Sequence, residues 1–299
     1  MSKKVLGIEE QIGRLKSKKI TFKNLLQEEQ CEDFLLKYNY LNVASLKYLF
    51  ATGKGKINHV YMFETPYSTL KKNYKKILKL ENKLTEAILL YETEFKVHLT
   101  LFFLSFLENE KIDFETLLSK LEGHNRKTNK LTSGTDSFYI SFEKIWKEGI
   151  KNFSGHTEFL NDYHLLIKIL SLGTISLLLD YNYMDSDGKK EILFSKFTNY
   201  NKKFKFVKTI EELKTIVILR NSLCHKESIV TFLDKAWRLN YKQGQKRKRD
   251  YVKERQETIK FIYEYGCKKK INLNSVILNF NQYRLKNKGI KNFKEIVIE

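Results

Sequence analysis

Six consecutive residues, Arg220-Asn221-Ser222-Leu223-Cys224-His225, set a permanent cation and a group that titrates near neutral pH five positions apart, directly after an apolar run. Guanidinium stays charged at any accessible pH and can hold two phosphate oxygens at once. Imidazole takes or gives a proton near neutrality. The pairing suits cleavage of a phosphodiester. An RNA strand carries its own nucleophile, the 2′-hydroxyl, so this chemistry needs neither a metal ion nor a nucleophilic side chain. The geometry is awkward. Five residues on a straight helix rotate by about 140°, so Arg220 and His225 converge only if the helix ends or distorts between them, or if the arginine swings back. Asn221 and Ser222 compete for backbone hydrogen bonds and favour an irregularity there. The bland alternative is a surface pair at a helix end.

A second set of residues could bind a polyanion. Arg238, Lys242, Lys246, Arg247, Lys248, Arg249, Lys253 and Arg255 are interleaved with Trp237, Tyr241 and Tyr251. Cations for phosphates and rings for bases make the composition of a single-strand RNA surface. A solvated helix face has the same composition. The net charge of +20 points the same way: a field of that sign attracts nucleic acid first and an anionic membrane second. Lys, Asn and Ile are abundant and Arg is scarce, a bias that an AT-rich genome also produces.

Other chemistries find little to work with. Cys31, Cys224 and Cys267 are odd in number and widely spaced, giving no zinc spacing and no disulfide framework, which fits a reducing cytoplasm. No metal and no cofactor is expected. The amino-terminal residues lack the apolar core of a signal peptide. The apolar stretch 99–107 is too short to span a bilayer, and 165–179 carries Lys168 in its middle; both read as buried helices, with no membrane segment.

The elements that must position these residues read as helices. One proline, Pro66, and 13 glycines in 299 residues disfavour a turn-rich β architecture. Residues 7–19 form a short amphipathic helix. A second helix follows Thr21 and runs through Leu36, and 39–42 breaks the pattern before 43–49 resumes it. Residues 51–56 are a loop and 59–63 a short strand or turn. Helical spacing is strong from 67 to 107, through Leu80, Leu84, Ile88, Tyr91, Phe95, Leu99, Phe102 and Phe103. Leu101, Phe102, Phe103 and Phe106 are assigned to the core. Residues 108–135 are a polar connection with a helical piece at 114–121. Residues 137–150, 159–181, 191–200 and 210–224 read as helices, with a break at 185–188. Gly173, amid apolar residues on one of these helices, marks close helix–helix approach. Residues 271–299 are a weaker tail.

Four stretches together resemble the Abi-like family (AbiD/AbiF type), bacterial abortive-infection proteins with a HEPN fold. They are Leu35-Leu36-Lys37-Tyr38-Asn39-Tyr40-Leu41-Asn42 with Tyr48-Leu49-Phe50, then Tyr91-Glu92-Thr93-Glu94-Phe95-Lys96, then Leu170-Ser171-Leu172-Gly173-Thr174-Ile175-Ser176, and finally the hexapeptide, which matches the family's Arg-Asn-x-x-x-His signature. Their order and spacing agree over roughly residues 8 to 235. Lys96 stands where arginine is common, and Lys226 where a second histidine is common. Both count here among the RNA-contacting cations.

The resemblance implies an all-α fold: an N-terminal helical part over 1–66, a HEPN-like bundle over 67–235 and a basic C-terminal extension over 236–299. It implies a metal-independent endoribonuclease toxin of an anti-phage system. His225 would act as general base on the 2′-hydroxyl or as acid on the leaving 5′-oxygen. Arg220 would stabilise the charged transition state, and Asn221 would fix the arginine or a phosphate oxygen. Glu92 would face the motif helix and orient Arg220, although Glu92 and Lys96 at i, i+4 also form an ordinary surface pair. His98 is a possible second proton donor or a core residue. One histidine per motif leaves the reaction short of either its acid or its base, so a homodimer with a composite site is expected. Restraint by a small non-coding RNA or other antitoxin is implied, in the cytoplasm. The alternative is a non-catalytic RNA-binding module that holds a structured small RNA.

Overall fold

The computed structural model describes residues 6–52, 60–61, 64–119, 121–125, 130–133, 167–168, 170–184, 188–202, 207–243, 250–268, 270–273 and 276. They are mostly helical, and they fall into two compact units. The first unit comprises Met1–Ile88 and Leu219–Glu299, and the second Leu89–Ile218. The expected helix over 137–150 lies outside the described residues, as do 159–166 and 169 of the one expected over 159–181.

The first unit opens with helix α1 (Ile8–Ser17), which buries Ile12 and Leu15. Strand β1 (Ile20–Thr21) follows and pairs in parallel with β4 (Thr65–Pro66). Helix α2 (Leu25–Tyr38) starts later than Thr21, because Asn24 is the residue whose side chain caps it, accepting from the Gln27 N–H at 3.1 Å. Asn39, at φ 62°, makes the expected break before α3 (Tyr40–Ala44), and α4 (Lys47–Phe50) follows. Ala51–Thr52 (β2) is not loop: it pairs antiparallel with β3 (Val60–Tyr61). Helix α5 (Tyr67–Glu110) supplies residues to both units. In this unit its Tyr67 and Tyr74 close an aromatic core with Phe34, with ring centroids at 6.2 and 5.4 Å and edge-on contacts. Cys31 is fully buried. Burial pushes its thiol up to about 12, which leaves it inert at neutral pH.

The described parts of the basic stretch after residue 228 are helical. Helices α10 (Ile229–Gln243) and α11 (Tyr251–Cys267) pack as a pair. Buried Arg255 donates to the Phe232 carbonyl, and its guanidinium lies 4.4 Å over the Phe232 ring. Arg255 is therefore a structural cation, contrary to its placement on an RNA surface. Buried Asn240 ties the helix ends together: it donates to Asp250 at 2.7 Å and accepts from the Tyr251 N–H at 2.9 Å. Gly266 of α11 rests directly on Ala87 of α5.

The second unit is organised around the later part of α5. Phe95, Leu99, Phe102, Phe103 and Phe106 are buried, as their spacing predicts, whereas Leu101 is exposed and not core. Their partners include Phe197, whose ring lies 5.0 Å from Phe95, and Phe114, 5.5 Å from Phe103. Helix α6 (Phe114–Ser119) is the expected helical piece. The polar connection beyond it is not irregular. Strands β5 (Leu121–Asn125) and β6 (Lys130–Ser133) form an antiparallel hairpin, and β7 (Asn182–Met184) and β8 (Lys190–Ile192) extend it into a four-stranded sheet ordered β6-β5-β7-β8. Helix α7 (Leu172–Leu179) starts afresh at Ser171, whose hydroxyl accepts from the Thr174 N–H at 3.1 Å, so 165–179 is not one continuous helix. Gly173 is therefore a first-turn residue. Helix α8 (Leu193–Tyr200) begins only after β8, and α9 (Ile210–Cys224) carries the motif at its end.

Candidate active site

The hexapeptide occupies the last turn of α9 and the first residue beyond it. The His225 N–H still donates to the Asn221 carbonyl at 3.0 Å, so the helical pattern persists through His225. The interruption expected between Arg220 and His225 falls one residue later, at Lys226, whose φ is 54°. There the Glu227 N–H bonds the Ser222 carbonyl at 2.7 Å and the Lys226 N–H bonds that of Leu223 at 3.0 Å. This crossed pair is the Schellman closure of a helix end, here with lysine in the left-handed position that glycine usually takes. Since the break comes after His225, the backbone directs Arg220 and His225 about 140° apart on the helix.

Side chains hold this turn in place. The Ser222 hydroxyl donates to Glu227 at 3.1 Å, and Glu227 pairs with Lys235 of α10 at 2.6 Å. Glu81 of α5 accepts from the Ser228 hydroxyl at 3.0 Å and from the Ile229 N–H at 2.8 Å. It thereby caps α10 from a residue 148 positions away. His225, Asn221 and Lys226 are exposed at the end of this fixed turn, and Arg220 is half-buried. Arg220 Nη1 lies 3.4 Å from Asn221 Oδ1, so the arginine bends back toward its neighbour. The helix end thus presents an imidazole to solvent on one side and, on another, a guanidinium steered by an amide.

Burial pushes the Glu81 carboxyl up to about 7, against the pull of its two hydrogen bonds. A carboxyl raised in the folded chain contributes stability that is full below about 4.5, its ordinary value, and is lost as pH rises through about 7. Both donors engage the same oxygen, Oε1, so Glu81→Gln keeps an acceptor there and removes only the titration. The stability of Glu81→Gln relative to wild type should therefore rise by about 2 kcal/mol between pH 5 and 7.5. Thermal unfolding of both proteins across that range checks this; a constant gap contradicts a raised Glu81.

The other expected site residues are distributed as follows. Glu92 and Lys96 belong to the second unit. Glu92 is buried, and Lys96 Nζ lies 3.1 Å from its Oε1 and 3.4 Å from the Lys168 carbonyl. The i, i+4 pair is thus formed. His98 is half-buried on the same helix. On α10, Trp237 is half-buried, while Arg238 and Lys242 are exposed. Arg238 Nε is held 2.7 Å from buried Asp234. Lys246, Arg247, Lys248 and Arg249 lie outside the described residues. Glu81, Glu227 and Ser228 went unrecognised in the sequence. Ser228 before an apolar run is a legible helix start, whereas Glu81 gives no local signal.

Among the described residues no group of three or more His, Cys, Asp or Glu side chains is placed to hold a metal ion, and no helix is long and apolar enough to cross a membrane. No protein-family model, no curated protein and no solved structure matches the chain.

Proposed function

We propose that the chain is a HEPN-type endoribonuclease that cleaves RNA through the 2′-hydroxyl, with His225 as proton-transfer group and Arg220, steered by Asn221, as the cation on the phosphate. The observation that carries this reading is the exposed imidazole at the end of α9, on a turn fixed by the Ser222–Glu227 and Glu81–Ser228 bonds. The 140° divergence and the motif's single histidine support a composite site, in which a second copy completes the acid–base pair. The role in phage defence, the cytoplasmic setting and restraint by a small RNA rest on the four-stretch resemblance.

The test is end-group analysis of RNA incubated with the purified protein in the presence of a chelator. Attack by the 2′-hydroxyl leaves a 2′,3′-cyclic phosphate and a 5′-hydroxyl. Products with 5′-phosphates would refute this chemistry, and tight binding without cleavage would favour an RNA-holding module.

A further inference from the structure

The bonds around the His225 turn divide into two sets. One set is local. The Ser222–Glu227 bond and the crossed backbone pair that closes α9 run within residues 222–227, and Glu227 reaches Lys235 on α10. Helix α10 likewise has a cap of its own, since the Ser228 hydroxyl accepts from the Val230 N–H at 3.3 Å. These bonds set the shape of the turn. The other set comes from outside it, where Glu81 Oε1 accepts from the Ser228 hydroxyl and the Ile229 N–H. His225 stands midway between Ser222, held by the first set, and Ser228, held by the second.

Glu81 ties the turn to a fixed stretch of helix. Within the first unit, α5 is anchored on both sides of it. On the amino-terminal side, Tyr74 packs edge-on against Phe34 of α2 at 5.4 Å, and the Tyr67 hydroxyl donates to the Gln30 carbonyl at 3.0 Å. On the carboxyl-terminal side, Ala87 lies against Gly266 of α11. Between these anchors Ile77, Leu80 and Leu84 are buried. A group that transfers a proton must stand within hydrogen-bond reach of the atom it serves, and a misplacement of about 1 Å costs about 10²-fold in rate. A turn with a fixed shape but no fixed place does not meet that demand. One tied to a rigid element does.

We propose that Glu81 is a positioning residue for proton transfer by His225, holding the turn between α9 and α10 on α5 so that the imidazole meets the scissile group. The proposal rests on the nuclease reading and adds a residue from outside the motif. Both bonds end on one oxygen, so the role depends on where that oxygen lies and not on its charge. Two variants of the full chain separate these. Glu81→Gln keeps an acceptor in place and removes the charge. Glu81→Asp keeps the charge and withdraws it by one carbon–carbon bond, about 1.5 Å.

Cleavage of a labelled single-stranded RNA is measured in single turnover at saturating protein, and RNA affinity is measured beside it in the His225→Ala background. Glu81→Asp should cut about 10²-fold more slowly with its affinity unchanged. Glu81→Gln should cut at the wild-type rate. Asn240→Ala is the control for lost stability: it removes two hydrogen bonds of a buried side chain near the far end of α10, and should also cut at the wild-type rate.

Equal rates for wild type and Glu81→Asp overturn the proposal and leave the nuclease standing. So does a loss that appears in affinity alone. A Glu81→Gln protein as slow as Glu81→Asp overturns it as well, since charge would then matter rather than place. A slow Asn240→Ala does the same, since lost stability would then explain the effect. A Glu81 variant that does not fold also refutes it, because Glu81 would then hold the unit and not the turn. A wild type that cuts no RNA refutes the nuclease reading, and this role with it.

Discussion

Replacing His225 with alanine should lower RNA cleavage by on the order of 10²–10⁴-fold, the usual contribution of a positioned acid or base, while RNA affinity changes little. The imidazole is exposed and the bonds that fix its turn run through other groups: the Glu227 and Lys226 N–H groups, the Ser222 hydroxyl and Glu81. An exposed substitution away from such bonds typically shifts stability by no more than about 0.5 kcal/mol, so lost activity could not be blamed on unfolding. Arg220→Lys is the companion variant. It keeps the charge and loses the planar fork, so cleavage should fall while most binding remains. A His225→Ala protein that still cuts labelled RNA at the wild-type rate would sink the proposed mechanism.

How far the sequence could be read depends on the range of the signal. Periodicity exposed the long helix through Phe95, Phe102 and Phe103, because an apolar stripe is written within single turns. The break at Asn39, where φ is 62°, was equally local. The sheet was not. Strands β5 and β6 are polar and short, and β7 and β8 lie some 60 residues further on. Such pairing is decided by partners rather than by composition. In the site, the hexapeptide was legible as a cation and an imidazole at a helix end, and that helix ends at Cys224 as its pattern indicated, but the irregularity expected between Arg220 and His225 falls after His225. That end is set by Lys226 in a left-handed conformation, a position where glycine would have given the signal. Glu81 was invisible for a different reason. It reads as one more charged residue on a helix, and only the fold brings Ser228 and Ile229 to it.

Gly266→Ala should destabilise the first unit by about 3 kcal/mol, at the upper end of what overpacking usually costs. A methyl group built at Gly266 would sit 2.3 Å from the Ala87 Cβ and 2.6 Å from its Cα, where carbons need about 3.5 Å or more. The obstacle includes backbone of α5, so no side-chain rotation removes it. Helix α11 would have to retreat, yet it is pinned by buried Ile259, Ile262 and Tyr263, by Arg255 on Phe232 and by the Asn240–Asp250 link. Helix propensity works the other way, favouring alanine over glycine by about 1 kcal/mol, so a measured destabilisation would have to come from the steric clash. Ala87→Gly should recover part of it in the double variant. Gly173→Ala is the contrast. Its new methyl would meet Ser171 and Val217 at 3.5 Å, ordinary van der Waals separation, in the first turn of α7. That variant should unfold at the wild-type denaturant concentration or slightly above it. Neighbouring residues alone rank the two glycines the other way round, because Gly173 sits among leucines while Gly266 follows a tyrosine near a helix end. Equal stability of the two variants would show that α11 does not approach α5 so closely.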